Sequence, residues 1–176
     1  MKKHTFVLAL LMLSFVLSVF GTGIMQNWSL SDSYSVSFSN PEVKGVFSKI
    51  NADITFDESN LPASSFRVSA DVGSVNTGNP SMDAEITGKE MLEMDKYPQI
   101  KFESTKVTKS DTGYIAAGTL EMHGIKKPLL LSFIFSGQTF KGSFLVRCSE
   151  FGMKGMGTGE SDKVFISLSV PVKPKN

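Results

Sequence analysis

Bond-breaking chemistry needs a nucleophile with a base, a matched acid and base, or a cluster of metal ligands. This sequence is poor in all three. It holds two histidines, His4 and His123, and one cysteine, Cys148. A structural zinc site takes four ligands drawn from Cys, His and carboxylates, so a multi-histidine or cysteine-built site is excluded, and one cysteine excludes an intramolecular disulfide. Ser104, His123 and Asp83 can be assembled on paper into a triad, but triads are defined by geometry, and nothing in their spacing supports one. His123 precedes Gly124 and reads as a turn residue satisfied by backbone. Cys148 follows Arg147 in an alternating stretch, where neighbouring side chains point to opposite faces, so the guanidinium does not activate the thiol. The Gly155–Gly159 run does not join a strand to a helix, so it reads as a hairpin and not as a phosphate loop. The residues describe no enzyme, no cofactor and no metal centre.

The elements that would position a binding site are far more legible. Ile50, Ala52, Ile54 and Phe56 alternate with Asn51, Asp53 and Thr55. The same period of two recurs in Phe66, Val68, Ala70 and Val72; in Gly118, Leu120 and Met122; in Leu129, Leu131, Phe133 and Phe135; in Phe140, Gly142, Phe144 and Val146; and in Val164, Ile166, Leu168 and Val170. Alternation over four or more residues marks half-buried strands. Turn signals at Ser59–Pro62, Ser110–Gly113 and Ser136-Gly137 punctuate them. The expected class is all-β: an antiparallel sandwich or barrel of about eight strands. One interruption, Asp83–Met94, reads as one or two short helical turns ended by Tyr97-Pro98. Apart from Met1, Met12 and Met25 near the N-terminus, six methionines remain, and three of them, Met82, Met91 and Met94, lie in or beside this insertion. Either they fill gaps or they form an adaptable lid.

The composition is 41% hydrophobic and 20% charged, with a formal net charge of +1. Those values exclude a disordered chain and a strongly basic nucleic-acid binder. At the N-terminus, Lys2 and Lys3 precede Phe6–Phe20, a run that is apolar except for Ser14 and Ser18, and Gly21-Thr22-Gly23 follows. That is the order of a secretory signal, and a helix of this run spans only about 22 Å, short of the bilayer hydrocarbon. The expectation is a signal peptide over residues 1–23, one β domain over 24–176, and a periplasmic or secreted mature protein. No cysteine lies near the leader to carry a lipid anchor.

An eight-stranded barrel is just wide enough for its own side chains to fill it or for one ligand to occupy its axis. Composition alone favours the filled core, because apolar stripes are core by default.

A set of motifs in fixed order bears on that choice. Met82-Asp83-Ala84-Glu85-Ile86 is followed by Lys96-Tyr97-Pro98-Gln99-Ile100-Lys101-Phe102-Glu103-Ser104; then come Gly118–Pro128 and Phe144–Met153, with Gly45-Val46-Phe47 and Asn76–Asn79 upstream. This order, across roughly Ser35 to Val170, resembles the YceI-like family. The resemblance implies an extended, lipocalin-like antiparallel barrel with a helical insertion. It further implies an apolar tunnel for an isoprenoid quinone, a polyprenyl chain or a similar long-chain amphiphile, in exported and often homodimeric proteins that touch membranes transiently. It turns the choice toward an occupied tunnel. The alternative is a filled barrel serving as a stress-response or interaction module. On the implied reading, the ligand-binding wall is Phe38, Phe47, Ile54, Phe56, Phe66, Val68, Met91, Leu92, Phe102, Leu120, Met122, Leu131, Phe133, Phe144, Val146, Phe151, Ile166 and Leu168. Thr77, Asn79, Asp83 and Arg147 would orient a head group at one mouth. The chain also departs from the family pattern. Met82 stands where an arginine is usual and Glu85 where a histidine is usual, which implies a neutral head group in preference to a phosphate.

Overall fold

The computed structural model describes residues 25–154 and 159–175. The expected leader and most of the Gly155–Gly159 run lie outside the described residues. Eleven strands form: β1 (Asn27–Leu30), β2 (Ser35–Ser39), β3 (Lys44–Phe47), β4 (Ile50–Thr55), β5 (Ser65–Asp71), β6 (Val75–Asn76), β7 (Gln99–Ser110), β8 (Gly113–Met122), β9 (Ile125–Ser136), β10 (Thr139–Arg147) and β11 (Lys163–Pro174). The order β1-β4-β5-β7-β8-β9-β10-β11 closes on itself where β11 meets β1, giving an eight-stranded antiparallel barrel. Strands β2, β3 and β6 continue the paths of β1, β4 and β5 beyond local bends, and they extend the wall past the closed ring.

β11 spans both levels. Its Phe165–Ser169 stretch pairs with β2, and its Val172–Pro174 stretch pairs with β1. Its other edge pairs with β10 at every step from Thr139↔Pro171 to Arg147↔Lys163. β9 meets β10 only from Ser136↔Thr139 to Ser132↔Ser143.

The bend in the longest hairpin has a local cause. The β7–β8 register slips between Ser104 and Lys106, which is a β-bulge. The extra residue is Thr105, and the hydroxyl of Ser104 beside it accepts the Phe66 N–H at 2.8 Å, so the neighbouring strand stays anchored. Opposite the bulge, Gly118 lies so close to β7 that a Cβ there would sit 2.3 Å from the Glu103 carbonyl oxygen. Only glycine lets the two backbones meet at this corner.

The helical insertion starts and stops earlier than the sequence predicts. Helix α1 is Pro80–Thr87, with Pro80 at its first turn and Asn79 as its N-cap. The Asn79 side chain accepts from the Ser81 and Met82 N–H groups. Asn79-Pro80 is a start signal that the Asp83 reading overlooked. Residues 88–97 form turns, not a second helix.

One end of the barrel is closed by aromatic rings. Phe56, 1% exposed, is the hub. It meets Tyr114, Phe133, Phe135 and Phe140 edge to face at centroid distances of 5.1, 5.6, 5.2 and 5.3 Å, and Phe66 at 6.1 Å. The Trp28 indole N–H donates to the Phe56 carbonyl at 2.9 Å, and its ring packs on Phe135. Such pairs prefer these tilted geometries and add to plain burial.

Truncating the hub leaves a ring-sized void that its rigid neighbours cannot fill. Phe56→Ala should cost about 3–5 kcal/mol. Urea unfolding monitored by Trp28 emission measures this; a loss under 1 kcal/mol would show that the cluster collapses freely.

Candidate functional site

The inward residues of the strands enclose a cavity of about 200 Å³. Every residue lining it is apolar, the thiol of Cys148 included. The alternation of the strands makes this unavoidable, since the period of two delivers Val, Leu, Ile, Phe and Ala to one face of each strand. The cavity starts against the inner edge of the aromatic plug, where Phe66, Phe133 and Phe140 belong to both. It runs toward Met122, at the opposite end of β8 from Tyr114, a separation of about 27 Å for a strand. There Ile86, Met91, Leu92, Cys148 and Met153 form its far wall.

That far wall is tied down by polar contacts behind it. Asp162, 7% exposed, accepts the Ser149 N–H at 2.7 Å and the Ser149 hydroxyl at 2.8 Å, which fixes the turn Cys148–Phe151 onto the start of β11. His123 occupies the β8–β9 turn with φ 51°. Its Nδ1–H donates to the Phe151 carbonyl at 2.8 Å, and its Nε2 lies 3.4 Å from a Glu93 carboxylate oxygen. Tyr97 packs edge to face on the same imidazole. The Lys154 N–H donates to the Glu90 carbonyl at 3.0 Å. Three chain segments, 88–97, 123–124 and 148–154, are thereby joined into one cap.

Of the residues expected on the wall, Phe38, Phe47, Ile54, Phe66, Val68, Met91, Leu92, Phe102, Leu120, Met122, Leu131, Phe133, Phe144, Val146, Ile166 and Leu168 line the cavity. Phe56 and Phe151 do not. Phe56 sits inside the plug, and Phe151 is buried in the turn beneath His123. Ile50, Ala52, Ala70, Ile100, Leu129, Phe140, Val164 and Val170 also line the cavity; they lie on strands the sequence marks but are not among the residues expected on the wall, and neither are Leu30, Val36, Ala116, Ile86, Cys148 and Met153. Of these last six, the first three are strand residues, and Ala116 shares a face with Gly118 and Leu120; the last three lie outside strands, and no periodicity identifies them.

The polar residues expected at the mouth are engaged elsewhere. An Asp83 carboxylate oxygen accepts the Thr77 N–H at 2.8 Å and the Thr77 hydroxyl at 2.6 Å, while Asn79 caps α1. These three side chains fold the start of the helix around themselves, and none lines the cavity. Arg147 points outward, 4.0 Å from Asp162. Met82 packs partly buried against the core.

A closed antiparallel barrel with an all-apolar cavity and a capped far end defines a class of small β-barrel proteins built around an interior pocket. A profile of the YceI-like domain matches residues 28–173, and the chain belongs to the YceI-like family. A UPF0312 protein of Yersinia pestis is 36% identical over 94 residues, which is 53% of this chain and 49% of that protein. The chain thus spans about half the length of the curated relatives it matches. Among solved structures, BcnA of Burkholderia cenocepacia superposes with a TM-score of 0.71 at 24% identity, over 82% of this chain and 99% of that one. A polyisoprenoid binding domain from Saccharophagus degradans superposes at 0.59 with 11% identity, over 86% and 99%. At these identities the likeness is one of fold.

Cys148 gives a testable consequence of the cavity's dryness. Burial, with the Asp162 carboxylate adding to it, pushes its thiol up to about 12 from the ordinary value of 9.0. The folded state therefore resists the thiolate. The stability this contributes is present below pH 9 and is lost as pH rises from 9 toward 12. Native protein at pH 8 should react slowly with a disulfide reagent and unfolded protein quickly, and alkaline destabilisation should be smaller in Cys148→Ala. Fast labelling of the native state would mean that water reaches the far wall.

Proposed function

We propose that the protein binds a single long apolar chain, of the isoprenoid type, inside its barrel and serves as an exported carrier or sequestering protein. The observation that carries this reading is the cavity itself: about 200 Å³ with an unbroken apolar lining. A filled core leaves few voids larger than a water molecule, so a side-chain-packed module is a poor account of this space. The polyisoprenoid binding described for the Saccharophagus degradans domain of the same fold supports the ligand class. The leader pattern over residues 1–23 supports a periplasmic or secreted location.

The cavity's size bears on chain length. Its apolar walls run from the rings of Phe66, Phe133 and Phe140 toward Met122, so the lumen takes a chain lengthwise. The Phe56 plug sets the limit, because a longer chain has to displace the hub.

The lining also bears on the head group. Among the described residues no polar side chain lines the cavity, and Thr77, Asn79 and Asp83 are spent on one another and on α1. A phosphate drawn inside would lose its water without gaining partners, at a cost of several kcal/mol. A neutral ring or hydroxyl would lose far less. The reading is therefore a neutral isoprenoid, its head at the rim.

Organic extraction of the purified mature protein, followed by mass spectrometry, tests the class; absence of any apolar chain after isolation without detergent, together with failure to take one up, would sink it. Ala52→Phe puts a ring into the cavity from β4 at a stability cost of about 1–3 kcal/mol. Bound chain per protein should fall severalfold in this variant. Unchanged loading with lowered stability would place the chain elsewhere.

A further inference from the structure

The ladder between β9 and β10 stops at Ser132↔Ser143, yet both strands go on, β9 back to Ile125 and β10 forward to Arg147. Their outer edges stay paired over the same stretch, to Met122↔Ile125 on one side and Arg147↔Lys163 on the other. The strands are therefore not frayed. The wall has a lateral seam, and among the described residues no backbone hydrogen bond bridges it.

The seam joins the cavity to the surface through apolar residues. Leu129, Leu131 and Phe144 on its two banks line the cavity. The alternate residues Leu130 and Leu145 face outward, 67% and 50% exposed, and Phe165, the cross-strand partner of Leu145, is 48% exposed. Neither β9 nor β10 contains a carboxylate, whereas together they carry Lys126, Lys127, Lys141 and Arg147. Lys126 lies 3.6 Å from Glu121, and Arg147 lies 4.0 Å from the buried Asp162. Exposed apolar side chains flanked by the outward-facing Lys126, Lys141 and Arg147 match an anionic bilayer surface. One barrel end is blocked by the Phe56 cluster, and the other is crossed by hydrogen bonds from His123 to Phe151 and from Lys154 to Glu90.

We propose that the β9–β10 seam is a lateral portal that docks on an anionic membrane and passes one apolar chain sideways into the cavity. This rests on the reading of the cavity as a chain-binding site. A chain sliding in sideways keeps its head outside throughout, so no polar group has to cross the apolar lining.

The test uses a dansyl-tagged farnesyl chain in vesicles of phosphatidylglycerol and phosphatidylcholine containing a rhodamine lipid; loss of energy transfer reports uptake. Equilibrium binding of the same chain from detergent solution is measured in parallel. Leu130→Asp with Leu145→Asp puts two carboxylates on the lips. It should slow uptake about tenfold, since an apolar chain then has to pass charged groups and the anionic surface is repelled. Detergent binding should stay within about twofold, because neither residue lines the cavity. Ile134→Asp, on the same outer face where the ladder is intact, should leave the uptake rate unchanged. If Ile134→Asp slows uptake equally, the face is merely adhesive and the portal is wrong. Unaltered uptake in the double variant overturns it too, as does equally fast wild-type uptake from pure phosphatidylcholine vesicles. If the wild-type protein binds no chain even from detergent, the cavity reading itself falls, and the portal with it.

Discussion

An eight-stranded sheet with one wholly apolar face is insoluble unless that face is turned inward. Here the turn is completed by β11, whose one edge runs along β10 while its other edge is shared between β2 and β1. Splitting one edge between two strands requires a bend between β1 and β2, and the Ser31 N–H marks that corner by donating to the Pro171 carbonyl at 2.9 Å. Once the ring is closed, each inward residue faces others like it across a narrow lumen. Closure pairs most of the open edges through which sheets aggregate. The cavity and the plug depend on that ring, and neither has an inside without it.

Within the ring, the two ends are built by different physics. The plugged end is rigid. Phe56 touches five rings at 5.1–6.1 Å, and Trp28 fixes its backbone from outside the cavity. The capped end consists of turns tied by a few polar contacts to His123, Asp162 and Glu90, and its apolar contribution comes largely from Met91, Met153 and Leu92. Methionine accommodates irregular partners with little strain. A barrel with one hard end and one adaptable end can change its contents without loosening its core. The seam opens on the adaptable half, where Leu129 and Val146 line the cavity.

How legible these features are in the sequence depends on which of them are local. The period of two along β4, β5 and β8–β11 marks strands, faces and most of the cavity wall, because burial side is fixed strand by strand. The capped end is less legible. Ile86, Cys148 and Met153 reach the cavity from a helix and a turn, where alternation says nothing. The polar candidates illustrate a different difficulty. Thr77, Asn79 and Asp83 have the types and spacing of a ligand-binding cluster, and the same types and spacing serve a helix start, which is what they build. The seam is illegible in either strand alone. The alternation of Leu129, Leu130 and Leu131 is uninterrupted, and the two strands form one hairpin, so only their observed pairing reveals that the ladder ends at Ser132↔Ser143.

If the cavity holds an apolar chain as proposed, its energetics favour exchange over storage. Burying a methylene from water is nominally worth about 0.8 kcal/mol. A chain that starts in a bilayer, however, is already out of water, so the apolar contribution to moving it into the barrel is close to nil. What remains is a balance of smaller quantities: the chain's lost freedom in a narrow lumen, the dispersion contacts of a close-packed wall, and the hydration of the head group. With no polar partner inside the lining, this barrel offers the head nothing in compensation. The balance therefore turns on the fit of the chain against Phe66, Phe133 and Phe140 at the plug, and on whether the head remains wet at the rim. A chain too long for the space strains the plug, and one too short leaves the lining without contacts. The protein's discrimination then lies chiefly in the distance from the aromatic hub to the rim, a dimension set by strand length and by the position of Phe56.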